Sequence, residues 1–165
     1  MFVEQVHLNH LNEISISLKS SNTKDYFIQT NNIEAEESDY LYIESSQIKN
    51  AGKGLYTAID IYKNEIISVF KGEIITNKEA EKRAQQNNDK YFINLLDGSI
   101  MDSMYTECYA KYANDAQGLS QSNYKNNAKI TLDDDDNVCI KASNKIKLGE
   151  EIFCSYGKRY WKKHS

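Results

Sequence analysis

Three short stretches carry side chains whose types and spacing suit chemistry. GEEIFCSYG, residues 149–157, ends a strand-like run by placing Tyr156 between Ser155 and Gly157. A phenol can donate and accept hydrogen bonds at a fixed point, and a following glycine lets the chain turn sharply. The plain alternative is packing, which is what most of the 12 tyrosines do. GKG, residues 52–54, lies between two strand-like runs. Glycines there allow close backbone approach and aim successive N–H groups at an anion. A simple β-turn is the ordinary reading, and the third glycine and helix of a dinucleotide fingerprint are missing. YAND, residues 112–115, holds Asn114, which can donate and accept at once. Its plain reading is the C-cap of a short helix.

Other groupings are set aside. The run DDDD, residues 133–136, invites a calcium reading, but Val138 and Asn144 stand where an EF-hand loop needs Gly and Glu. A solvated hairpin turn fits better. His7 and His10 share one face of a helical reading, but no third ligand follows. Cys108, Cys139 and Cys154 are far apart and odd in number, which argues against a zinc cluster or a disulfide framework. No metal site is expected.

The chain has 165 residues, enough for one core of ordinary size. Its net charge of −4 gives no electrostatic case for nucleic-acid binding but suits a basic, lysine-bearing peptide. No signal peptide or spanning apolar run is visible, so a cytosolic or nuclear location is expected, with no membrane partner.

Those residues need elements to hold them. VEQVHLNHLNEISISL reads as a short helix or strand, and QTNNIEAEESD as a boundary loop. From Tyr40 the pattern changes. YLYIESSQI and LYTAIDI alternate as strands on either side of the KNAGKG loop, and EIISVFKGEII is a longer strand region broken at Lys71 and Gly72. TNKE is a capping box that opens a helix through KEAEKRAQQ. KYFINLLDGSIMDS predicts a hairpin turning at Asp97 and Gly98, where φ > 0 costs least. TECYAKYAND predicts a short helix, and NAKITLDDDDNVCIKAS a second hairpin. The order is α+β, mainly β.

Taken in order, these pieces resemble the SET-domain protein lysine methyltransferases over about residues 40–157. NAGKGLYTAIDIYKNEII is similar to the family's opening G-x-G segment, VFKGEII to its Y-x-G-E strand, and YFINLLDGSIMD to its middle hairpin. KYAND, with Asn127 further on, sits where the family has R-F-I-N-H-S and then P-N. IKLGEEIFCSYG resembles its closing G-E-E-L-x-x-x-Y-G. The resemblance implies a SET fold: small β-sheets around a pseudoknot with a short inserted helix. S-adenosylmethionine (SAM) would bind on one face, and a target lysine would enter from the other through a narrow channel. It further implies that Lys53, Gly54 and Leu55 hold the methionine end of SAM. Asn114 and Asp115 would contact the cofactor, Tyr156 would be the catalytic tyrosine, and Tyr91 and Phe70 would line the site. Residues 39–157 would form the SET domain. Residues 1–38 would be an extension, with packing on the core, guiding substrate and supporting a homodimer all open as roles. Residues 158–165 would be a tail folding over the channel as an aromatic lid.

The implied reaction is methyl transfer from a sulfonium to a neutral amine. Holding a lysine, ordinary pKa ~10.4, neutral at pH 7 costs about 4–5 kcal/mol. An apolar channel and an adjacent sulfonium lower that cost without a strong base. Some positions depart from the family pattern: Phe70 replaces Tyr, Asp115 replaces His, Ser155 replaces Asp, and Cys154 stands where a larger ring often limits methyl number. A SET-like binding module with little or no catalysis is the alternative these departures favour.

Overall fold

A computed structural model describes residues 31–118 and 122–164. The expectations for His7, His10 and the first 30 residues lie outside them. Among the described residues, nine short strands form three antiparallel sheets of three. The first sheet orders β1 (Leu41–Ser45), β2 (Lys53–Thr57) and β9 (Glu151–Ile152) side by side, with β2 in the middle. The second places β8 (Val138–Ala142) between β3 (Ile66–Val69) and β7 (Ala128–Leu132). The third places β6 (Ile100–Asp102) between β4 (Glu73–Ile75) and β5 (Phe92–Asn94). One turn of helix, α1 (Glu37–Tyr40), precedes β1.

The core sits where the sheets meet. Leu55, Ile61, Ile67, Ile93, Ile140, Ile146 and Ile152 are fully buried, each worth roughly 1.5–3 kcal/mol over an exposed side chain. Tyr40 is drawn in with them and donates its hydroxyl to the Ile67 carbonyl at 2.8 Å.

Turn chemistry accounts for the local elements. Thr76 caps α2 (Asn77–Gln85), its Oγ1 accepting from the Glu79 N–H at 3.2 Å. Only half of the capping box forms, because the Glu79 carboxylate goes to Arg83 instead. The β5–β6 hairpin turns at Gly98, with φ of 84°, while Asp97 keeps an ordinary backbone and takes two bonds from Ser99. The acidic run forms the β7–β8 turn, where Asp133 accepts from Asp135 and Asn137. The helix expected through TECYAKYAND shrinks to one 3-10 turn, Ala110–Tyr112. Tertiary bonding ends it, because the residues that follow must thread the knot.

That knot is explicit. Phe153 and Cys154 bridge two distant segments in parallel, Phe153 to Asn114 and Cys154 to Ala128. The Cys154 N–H donates to the Asn114 carbonyl at 2.9 Å, and the Ala128 N–H to the Phe153 carbonyl at 2.9 Å. Asn127 clamps the crossing with both ends of its amide, donating to the Glu151 carbonyl and accepting from the Phe153 N–H. After the crossing the chain turns at Gly157, φ 80°, into α3 (Lys158–His164).

Candidate active site

A cavity of about 600 Å³ opens beside the knot. Its walls come from five places. The β1–β2 connection and the first residue of β2 supply residues 48–53, the end of the α2–β5 loop supplies Lys90 and Tyr91, and the 3-10 turn supplies Lys111 and Tyr112. The knot supplies Asn114, Asp115 and Tyr156, and α3 supplies Tyr160 and Trp161. Lys53, Tyr91, Asn114, Asp115 and Tyr156 are thus brought together as the sequence suggests.

Three expected residues are not. Phe70 is 3% exposed, belongs to the main core cluster and does not line the cavity. Its ring extends an apolar strand region whose neighbours are core residues, so burial wins over exposure to a channel. Gly54 and Leu55 lie on β2 behind the cavity wall, Leu55 fully buried and Gly54 paired with Glu44. The cavity is reached instead through Gly52 and Lys53, just before them.

Tyr156 is held at three points. Its N–H donates to Asp115 Oδ2 at 2.9 Å, its hydroxyl donates to the Ala113 carbonyl at 3.0 Å, and its ring stacks on Trp161 at 5.7 Å. Burial, and then the neighbouring Cys154, Tyr160 and Asp115 side chains, holds its phenol well above the usual tyrosine range. The group is therefore a neutral hydroxyl at any physiological pH. Its proton is committed to Ala113, so toward the cavity it has only lone pairs to offer. Burial, and secondly Tyr112, raises Tyr91 in the same direction.

Cys154 is fully buried and its Sγ faces the same Ala113 carbonyl at 3.7 Å. Burial, then Asp115, pushes its thiol up, so it behaves as a small neutral packing group.

Glu151 is the residue that sequence patterning did not single out. It is 2% exposed. Its carboxylate accepts from Ser46 Oγ at 2.6 Å, the Gln47 N–H at 2.7 Å, the Tyr56 hydroxyl at 3.1 Å and Asn114 Nδ2 at 3.3 Å. It thus pins the cavity-forming β1–β2 connection to the knot. Burial first, and the Glu151 charge second, push the Tyr56 phenol up to about 12. A Cβ on Gly54 would collide with the Glu151 carboxylate, which explains that glycine better than cofactor contact does. The signal was present as a charged residue at a core-facing position of EEIFC. Asn114 Nδ2 also donates to the Lys53 carbonyl at 2.9 Å, fixing the amide in the wall.

Lys111 was likewise unannounced. Its ammonium donates to the carbonyls of Ser103, Met104 and Thr106 at 2.9–3.2 Å and lies 5.5–5.6 Å from the Tyr112 and Tyr91 ring centres. Lys111 and Tyr112 also line a second cavity, of about 550 Å³, together with Glu36, Glu37, Lys71 and Glu107.

A small α+β domain with a threaded crossing, a cofactor-sized cavity and a half-buried phenol beside the crossing defines a class. The model of the SET domain matches residues 52–157, and the chain belongs to that family. Histone-lysine N-methyltransferase 2D of Homo sapiens is 28% identical over 132 residues, 78% of this chain and 2% of that protein. Histone-lysine N-methyltransferase EZ2 of Zea mays is 31% identical over 110 residues, 64% of this chain and 12% of that protein. The chain therefore spans a small part of these relatives' length. The fold is similar to that of the Chaetomium thermophilum Polycomb Repressive Complex 2 in an autoinhibited conformation bound to S-adenosylmethionine. There the TM-score is 0.59 at 27% identity, covering 72% of this chain and 15% of that one. Among the described residues no helix is long and apolar enough to cross a membrane.

Proposed function

We propose that this chain is a protein lysine N-methyltransferase that uses SAM. The observation that carries the reading is the Tyr156 hydroxyl, donated to Ala113 at the knot and presented to a cavity that also meets Lys53 and Asn114. The cavity suits the cofactor on its own terms. Its volume falls within the ~300–1,000 Å³ of small-molecule sites. Lys49, Lys53 and Lys90 form a cationic rim fit for a carboxylate. Tyr91, Tyr156, Tyr160 and Trp161 offer ring faces fit for a purine or a sulfonium. When bound, SAM supplies an electrophilic methyl group.

The chain's own part is positioning. An amine entering beside Tyr156 can donate an N–H to its oxygen, since that oxygen only accepts. This fixes the direction of the nitrogen lone pair. Tyr156 holds its own proton too tightly to act as a base. Apolar and aromatic walls, including Tyr91, disfavour the ammonium form of the incoming lysine. The carboxylates of Glu36, Glu37 and Glu107 in the second cavity, beside Lys71, suit the flanking residues of a basic substrate, such as a histone tail. A nuclear site of action would follow from that substrate.

Titration calorimetry with SAM, followed by mass spectrometry of histones and lysate proteins incubated with labelled SAM, tests the proposal. Micromolar binding with mass gains of one or more methyl groups on lysine is expected. Binding without transfer would favour a SAM-binding module, and no binding would overturn the methyltransferase reading and leave a peptide-binding module.

A further inference from the structure

We propose that Asp115 is a positioning residue whose carboxylate ties the catalytic tyrosine to the C-terminal helix, so that alignment of Tyr156 and seating of α3 are one event. The proposal rests on the methyltransferase reading of the cavity. Asp115 is 6% exposed, and none of the ion pairs among the described residues involves it. A buried carboxylate without a counter-ion persists only if N–H donors surround it. Here four do. Oδ1 accepts from the Gln117 N–H and Asn126 Nδ2, both at 3.0 Å. Oδ2 accepts from the Tyr156 N–H and the Trp161 indole Nε1–H, both at 2.9 Å.

The donors come from four places: Gln117 and Asn126 from the two segments that the crossing bridges, Tyr156 from the closing segment and Trp161 from α3. Oδ2 is the atom where the last two meet. Removing either donor leaves a buried oxygen under-satisfied, so each stabilises the other's position. Two further contacts point the same way. The Trp161 ring stacks on Tyr156 with 19° between planes, and Tyr160 meets both rings edge-on at 4.8 and 5.0 Å. Gly118, on the knot segment, has no Cβ where one would overlap the indole, so the ring has a built seat. The cofactor contact expected of Asp115 is thereby left to its backbone. Its carboxylate is committed, and it acts through Tyr156 and Trp161.

Trp161 is the sole tryptophan of the chain, so its emission reports the seat directly. The experiment measures kcat and KM for SAM in the full chain and its variants, and emission and acrylamide quenching in those that keep Trp161. Asp115→Asn keeps the size but turns an NH2 toward N–H donors. Without SAM, its emission is expected to shift red and its quenching to rise. Its kcat should fall about tenfold or more, beyond any change in KM. Trp161→Phe keeps a ring but no indole N–H and should lower kcat less. The double variant should be no worse than Asp115→Asn alone, because both remove one coupled unit. Gly118→Ala, which leaves Asp115 intact, should give the same spectral shift. Wild-type emission and turnover in Asp115→Asn would overturn the proposal, as would losses that multiply in the double variant. A wild-type chain that neither binds SAM nor turns over would instead fail the methyltransferase reading, while the SAM-free emission of the variants still decides the tether.

Discussion

A phenol that gives its proton to a backbone carbonyl can only accept from anything else, and Tyr156 is in that position beside Ala113. Tyr156→Phe removes the acceptor and keeps the stacked ring. Turnover is expected to fall by about 10²–10³, the usual scale for one lost hydrogen bond aimed at a reacting centre. SAM affinity should stay within about threefold, since the ring and the N–H to Asp115 remain. Single-turnover kinetics and calorimetry on the same preparation separate the two. Gly54 carries the other residue-scale prediction. Gly54→Ala drives a methyl into the Glu151 carboxylate and against the Ser46 backbone. It should cost about 1–3 kcal/mol in urea unfolding, the range for overpacking. It should also weaken SAM binding, because Glu151 holds the β1–β2 connection that lines the cavity. Unaltered SAM affinity in a destabilised variant would show that Glu151 serves stability alone.

Elements differ in how much of them a local stretch can specify. Thr76 and Glu79 stand three apart, and Gly98 follows Asp97, so α2 and the β5–β6 hairpin are written in neighbouring residues. The β7–β8 hairpin is equally local, and all three are legible from sequence. The knot is not. It needs Phe153 and Cys154 to pair with Asn114 and Ala128, and no periodicity links such distant segments. Only the ordered resemblance to a known family indicates it. The site splits along the same line. Tyr156 and Asn114 stand out by their setting, whereas Glu151 and Lys111 gain their roles from partners remote in sequence. Phe70 misleads because an aromatic at a motif position says nothing of which way the strand faces. Thr76→Ala tests the local half. It should lower stability by about 1 kcal/mol, the usual worth of an N-cap. It should leave SAM affinity unchanged, as no α2 residue lines the cavity. Urea midpoints and calorimetry check both.

At the scale of the whole molecule, two cavities of mixed charge share one wall. Lys49, Lys53 and Lys90 line the first with Asp115; Glu36, Glu37 and Glu107 line the second with Lys71; and Lys111 and Tyr112 belong to both. The same fold buries phenols, and this sets its limit in alkali. Burial, followed by the charges of Glu37 and Glu36, pushes Tyr40 up to about 12, matching Tyr56. An unfolded tyrosine titrates near ~10. Between those values the folded chain retains protons that the unfolded chain has lost, so stability is complete below about pH 10 and declines as pH rises toward 12. Each group contributes on the order of 2–3 kcal/mol across that window. Tyr40→Phe should cost about 1 kcal/mol at neutral pH through its lost bond to Ile67. It should then make the alkaline decline shallower, because one of the proton-holding groups is gone. Urea midpoints at about pH 8 and pH 11.5, in wild type and Tyr40→Phe, measure the difference. Parallel declines in the two proteins would mean that Tyr40 titrates normally and that the alkaline limit is set elsewhere in the fold.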